Sequence, residues 1–312
     1  MISAYFTPIS YSRKGPALFI RERLKRLGIP LLFYVIFIGP FLIYSNRLIT
    51  PEQNISFYRF YWEEIIKNGH IDMGPLWFIQ ALLIFVFSYL IIIKIFSRLT
   101  NRYIKKIKIK FPPNYIIFIF TAFLAVFSFL IRKWFPIGTV IGTLQLSFFP
   151  QYILFFTIGI IAYHQNWFTA INRKKAIFWF WISLVTTTVW PLIVYISSAF
   201  KGDLTNIAGG WHWQSFIYAL WESIIGVGII ICLLYIFKTV SAGQNSFQRS
   251  LSVAAYTVFI IHPVIITALS YAIRNFDLHP LWKFIIVAAT GVPLCFLIGN
   301  YIRKIPFLRT IL

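Results

Sequence analysis

Two ionisable side chains, Glu222 and His262, stand inside long apolar runs of a 312-residue chain, where a charged group is costly and is by default a functional candidate. An imidazole within reach of a carboxylate is the minimum equipment for general-base chemistry on a hydroxyl. At about 1.5 Å of rise per helical residue, His262 lies roughly 15 Å into its run and Glu222 roughly 9 Å into its own, entered from the opposite side. Across a hydrocarbon layer about 30 Å thick, their levels differ by only about 6 Å, a gap that side chains on neighbouring helices would close. The alternative is structural: a His–Glu hydrogen bond, or a histidine satisfied by a backbone carbonyl. Pro263, directly after His262, frees carbonyls of the preceding turn, which fits a cavity lining as well as a simple kink.

A second cluster is Arg21, Arg23, Lys25 and Arg26, just ahead of Pro30. Forked guanidinium groups suit phosphate, so these residues form either an anion clamp or a plain topology signal resting on lipid headgroups. No His/Cys/Asp/Glu spacing reads as a metal site, and neither a G-x-S-x-G turn nor a phosphate-binding glycine loop is present. His70, His212 and His279 fall in connections and His164 at the end of a run; Gln80, Gln145 and Gln151, in or beside the runs, have helix–helix hydrogen bonding as their default role.

The elements that position these groups follow from composition. Hydrophobic residues make up 59% of the chain and charged residues 12%, against roughly a quarter in a soluble globule, so lipid must be the solvent. Runs of about 20 apolar residues fit spanning helices, and they fall at 28–44, 74–97, 115–131, 145–163, 176–200, 216–237, 252–273 and 283–302. They lack the period-2 alternation of barrel strands, which makes the expected fold an all-α polytopic transmembrane bundle of about eight spans in a single domain, 1–312. Residues 1–12 are too short to cross and lack the basic start of a signal peptide; they look like the end of a helix.

Of the 29 Lys and Arg residues, 21 sit in alternate connections, among them Arg13, Arg26, Lys94, Lys105, Lys106, Lys108, Lys110, Arg173, Lys238 and Arg303, with one acid, Glu22. The opposite connections hold six of the eight acids: Glu52, Glu63, Glu64, Asp72, Asp203 and Asp277. The positive-inside rule then puts the basic side and both ends of the chain in the cytoplasm of a multi-pass cell-membrane protein. The net charge of +21 flanks spans, so its partners are the bilayer and its anionic headgroups, not nucleic acid. Trp77, Trp134, Trp167, Trp211, Trp213 and Trp282 lie near span ends, as an interfacial belt requires. Cys232 and Cys295 lie inside spans, and the 45–73 connection is the one long enough to form a small cap.

Several segments resemble the membrane acyltransferase family 3. Ile2-Ser3-Ala4-Tyr5-Phe6-Thr7-Pro8, followed by Phe19 to Pro30, is similar to that family's second helix and the arginine-rich connection after it. Gly74-Pro75-Leu76-Trp77-Phe78, Phe149-Pro150-Gln151-Tyr152, Leu220-Trp221-Glu222 and Tyr256 to Pro263 resemble further pieces in the family's order. The resemblance implies an enzyme that takes an acyl group, often acetyl, from cytoplasmic acyl-CoA as donor substrate. It passes the group to a hydroxyl of an extracytoplasmic carbohydrate or other envelope molecule, with no tightly bound cofactor and no metal. In that setting Arg21, Arg23 and Arg26 stand where the CoA phosphates arrive, and His262 with Glu222 deprotonates or orients the acceptor. Ala4 replaces a glycine and Gln80 a glutamate common in the family. The family has about ten spans and carries a catalytic histidine on its first helix; this chain begins inside the second, so an N-terminally shortened or inactive relative is one expectation. A transporter or flippase for a glycolipid or polysaccharide, with Glu222 and His262 as its polar path, is the other class that the pattern admits.

Overall fold

A computed structural model of the protein describes residues 1–47, 55–103, 109–201, 205–240, 243 and 245–311. Glu52, Lys105, Lys106, Lys108 and Asp203 lie outside the described residues. Among those described, eight helices are long and apolar enough to cross a membrane, in the places the apolar runs predict. No strand occurs among them; one isolated bridge joins Ile141 and Leu144. The fold is an all-α polytopic helical bundle.

The first spanning helix is longer than the 28–44 run, because the start of the chain is itself helical: α1 (Ile2–Arg23) continues into α2 (residues 24–47). Within α1, Gly15 leaves the helix at φ 72 and ψ 169, a conformation open to a residue without a Cβ. The irregularity of α2 has a proline cause. Its π-turns, Leu24–Gly28 and Tyr34–Ile38, alternate with α segments, Ile29–Phe33 and Gly39–Arg47. Pro30 and Pro40 have no N–H to bond the carbonyls four residues back, those of Arg26 and Ile36. Tyrosine hydroxyls take both: Tyr256 donates to Arg26 O at 2.6 Å and Tyr61 to Ile36 O at 3.1 Å.

The remaining long helices are α3 (Trp77–Tyr103), α4 (Asn114–Trp134), α5 (Phe149–His164), α6 (Arg173–Lys201), α7 (Trp213–Val240), α8 (Ser246–Ala272) and α9 (Pro280–Ile302). Their starts are chemically marked. Asn245 and Gln248 form a reciprocal capping box ahead of α8. The Asn172 side chain accepts from Lys175 N at 2.9 Å at the head of α6, and α9 begins on Pro280 with the His279 ring accepting from Leu281 N.

The chain gathers into two compact units, Met1–Pro16 with Phe85–Gly243, and Ala17–Ile84 with Gln244–Leu312. In the first, α7 packs against α4 and α6 over a core of Ile117, Leu124, Ile171, Trp179, Val227, Ile231 and Leu234. Small residues let the backbones approach, as membrane helix pairs require: a Cβ on Gly228 would strike Ser183, and one on Gly159 would stand 2.5 Å from Met1 O and 2.7 Å from the Ala4 Cβ. Trp167 departs from the interfacial pattern. It is buried and donates to Ile109 O at 2.9 Å, so it packs rather than anchors, whereas Trp134, Trp211, Trp213 and Trp282 are exposed.

In the second unit, α8 and α9 lie antiparallel in close contact, with Gly299 against Val258 and Gly291 against Leu269. Leu27, Tyr34, Leu42, Leu76, Ile79 and Ile260 form its core. The described part of the 45–73 connection folds as a short helix, Phe57–Phe60, running into a π-turn, Tyr61–Lys67. Glu64 clasps it, accepting from Arg47 at 2.9 Å and pairing with His70 at 2.5 Å.

Candidate functional site

His262 owes its geometry to the residue that follows it. Pro263 cannot offer an N–H to the carbonyl four residues back, which is that of Phe259. The His262 Nδ1 lies 2.9 Å from that oxygen and 3.3 Å from Val258 O. A carbonyl only accepts, so Nδ1 is the donor, and in the neutral ring the lone pair is on Nε2. His262 is half-buried and lines a cleft of about 510 Å³ between α8 and α9, together with Val258, Ile266, Val287, Gly291 and Cys295. The histidine is therefore satisfied by a backbone carbonyl, one of the alternatives open from the sequence, and that bond also makes Nε2 its basic nitrogen.

The arginines belong to the same unit. Arg21 and Arg26 are exposed; Arg23 is half-buried, its guanidinium 5.1 Å from the centre of the Phe19 ring. Phe19 and Leu27 are buried and fix this turn, and the Tyr256 bond to Arg26 O ties it to α8 six residues before His262. Arg303, four residues past Gly299, adds a buried Nε that has no partner among the described residues.

Glu222 lies in the other unit and has its own partner there, which sequence reasoning missed. Arg132, fully buried, donates through Nη2 to Glu222 Oε2. The guanidinium also sits over two rings, 5.0 Å from the centre of Tyr218 and 5.3 Å from that of Phe148. The third apolar run ends at 131 in the sequence, one residue short. The signal was periodicity: Ile117, Thr121, Leu124, Ala125 and Ser128 mark the buried face of α4, and Arg132 is its next position. On α7, Ser215, Tyr218 and Glu222 follow the same spacing.

This end of the first unit is polar and tightly roofed. Gly210 N donates to Arg132 O at 3.3 Å and Ile137 N to Ala208 O at 2.8 Å. A Cβ on Gly209 would stand 2.6 Å from Arg132 O, so only glycine fits there. Arg132 Nε and Nη1, Ser128 Oγ, Ser147 Oγ, Gln151 Nε2 and Ser215 Oγ are buried without a hydrogen-bond partner among the described residues. Gln151 thus does not make through Nε2 the helix–helix bond expected of it. Such groups are satisfied by water or by the hydroxyls of a bound molecule.

A family model described as an acyltransferase domain matches residues 1–300, a stretch that holds the arginine turn, the Arg132–Glu222 pair and the His262 cleft. No curated protein and no solved structure matches the chain. With eight membrane-length helices and a family match over nearly the whole chain, this multi-pass membrane protein belongs to the acyltransferase family 3.

Proposed function

We propose that the chain is an integral-membrane O-acyltransferase that moves an acyl group from cytoplasmic acyl-CoA to a hydroxyl of an extracytoplasmic carbohydrate or other cell-envelope molecule. The observation that carries the reading is the Nδ1–H bond of His262 to Phe259 O, which leaves Nε2 as a base in a cleft of a protein of acyltransferase family. Arg21, Arg23 and Arg26 hold the CoA phosphates at the basic end of the second unit. His262 Nε2 takes the proton of the acceptor hydroxyl as its oxygen attacks the thioester carbonyl. The C–O ester bond forms, the C–S bond breaks, and the proton passes to the CoA thiolate, releasing CoA as the thiol. Within the first unit, Glu222 is paired to Arg132 and surrounded by buried groups with no partner among the described residues, a setting suited to binding hydroxyls of a ligand. What supports this sidedness, with both ends of the chain in the cytoplasm of a cell-membrane protein, is the clustering of 21 of 29 basic residues in alternate connections.

The test is transfer of label from radiolabelled acetyl-CoA into base-labile esters of envelope carbohydrate, in membranes with and without the protein. Label that depends on the protein supports the reading; solute flux with no transfer would replace it with a transporter. In the same membranes, Arg23→Ala with Arg26→Ala is expected to weaken acyl-CoA binding and flatten its salt dependence. Unchanged binding and unchanged salt dependence would remove the arginines from the donor site.

A further inference from the structure

The cleft beside His262 is far larger than an acetyl group needs. We infer that it is an acyl-chain channel, and that the donor carries a medium or long hydrocarbon chain; this rests on the acyl-CoA reading above. The occupant follows from continuity along α8. Tyr256 grips the arginine turn through Arg26 O, the cleft opens one half-turn later at Val258, and His262 stands one turn beyond that. A thioester drawn from phosphates at Arg21, Arg23 and Arg26 toward the Nε2 base reaches the mouth of this cleft, and its acyl chain has the cleft ahead of it.

The lining suits a hydrocarbon, and the cleft is open along one side, where Phe284, Val292 and Ile266 are exposed. Apart from His262, Ser270 and Lys283, every lining residue is apolar, a glycine or a cysteine. Gly291 faces Leu269 and Ile266 while Gly299 faces Val258, so His262 on α8 is level with about Cys295 on α9. From Cys295 to Lys283 the helix axis runs about 18 Å at 1.5 Å per residue. Lys283 lines that far end, its ammonium donating to Arg274 O at 2.8 Å. An extended chain advances roughly 1.25 Å per carbon, so the channel accepts about 14 carbons before meeting the ammonium. Val287 and Ala288 line this stretch beyond His262, and enlarging either narrows the cleft at a distance from the histidine, whereas Gly291 is taken up by the contact with Leu269.

The experiment compares acetyl-, decanoyl- and stearoyl-CoA as donors, by transfer and by direct binding, with the full chain in nanodiscs. Wild type is expected to prefer decanoyl to acetyl, and stearoyl to fall below decanoyl. Ala288→Phe, and separately Val287→Phe, are expected to cut the decanoyl-to-acetyl ratio by at least roughly tenfold, the low end of what one methylene is worth in an apolar pocket. Taking the ratio in one preparation removes any loss of folded protein. A wild type that uses or binds decanoyl-CoA no better than acetyl-CoA, or a ratio that neither variant moves, overturns the channel. Tight decanoyl-CoA binding that the variants abolish, with no transfer from any donor, would instead sustain the channel and sink the transferase chemistry.

Discussion

Arg132 and Glu222 show what a buried charge demands of its surroundings. Arg132 is fully enclosed and the Glu222 side chain is only 19% exposed. Removing one member strands the other and costs about 3–5 kcal/mol, whereas replacing both by apolar side chains of similar volume is close to neutral. Glu222→Gln is therefore expected to lower the thermal stability of the purified protein sharply, and Arg132→Met with Glu222→Met to recover most of the loss. Equal unfolding temperatures for the single and double variants would mean that the pair is not coupled. Glu222 was legible in the sequence because a carboxylate in an apolar run has no bland place to go. Arg132 was not, because a cation at the end of a run looks like an interfacial residue. Only the fold, which draws it in between Tyr218 and Phe148, decides that it is interior.

Prolines do at the scale of elements what no single side chain can. Pro30, Pro40 and Pro263 each free a carbonyl, and Tyr256, Tyr61 and His262 each donate to one. A proline beside His262 was readable as a source of free carbonyls and the histidine as one group that could take them; which of the alternatives held was not, since that depends on side-chain direction. Pro263→Ala restores a backbone N–H that competes for Phe259 O. The expected result is a helix at least as stable as before, with slower acyl transfer and an altered pH–rate profile, because the imidazole loses its fixed tautomer. Transfer and pH profile both unchanged would show that the carbonyl bond does not matter. The 55–67 segment makes a second prediction. His70, and then Arg47, hold the Glu64 carboxyl below the usual carboxylate range. A depressed value means that the clasp contributes above the ordinary carboxylate pKa and is lost as pH falls through the folded value. Hydrogen-exchange protection of 55–67, corrected for intrinsic rates, is expected to hold near neutrality and collapse in acid; Glu64→Gln should show the collapsed pattern at neutral pH. Protection that is independent of both pH and Glu64 would locate the restraint elsewhere.

Across the whole molecule, the bilayer's demands made the spans legible. Hydropathy alone placed eight helices, because a lipid-facing backbone has few ways to satisfy itself. The run at 28–44 understated its helix, since residues 2–23 are less apolar and reach helicity by packing, as Ala4 does against Gly159. Helix neighbours were not legible, and so neither was the cleft between α8 and α9: the stripe Val258, His262, Ile266, Ser270 is visible in sequence, but its facing stripe on α9 is known only from the fold. The account stands on that cleft and on the nitrogen within it. Its most direct test is the turnover of acyl transfer by reconstituted wild type and His262→Gln, with whichever of acetyl- and decanoyl-CoA the wild type uses better. The account predicts a loss of about 10²–10⁴ in kcat, with KM for that donor little changed, as removal of a general base requires. An unaltered kcat in His262→Gln would contradict it.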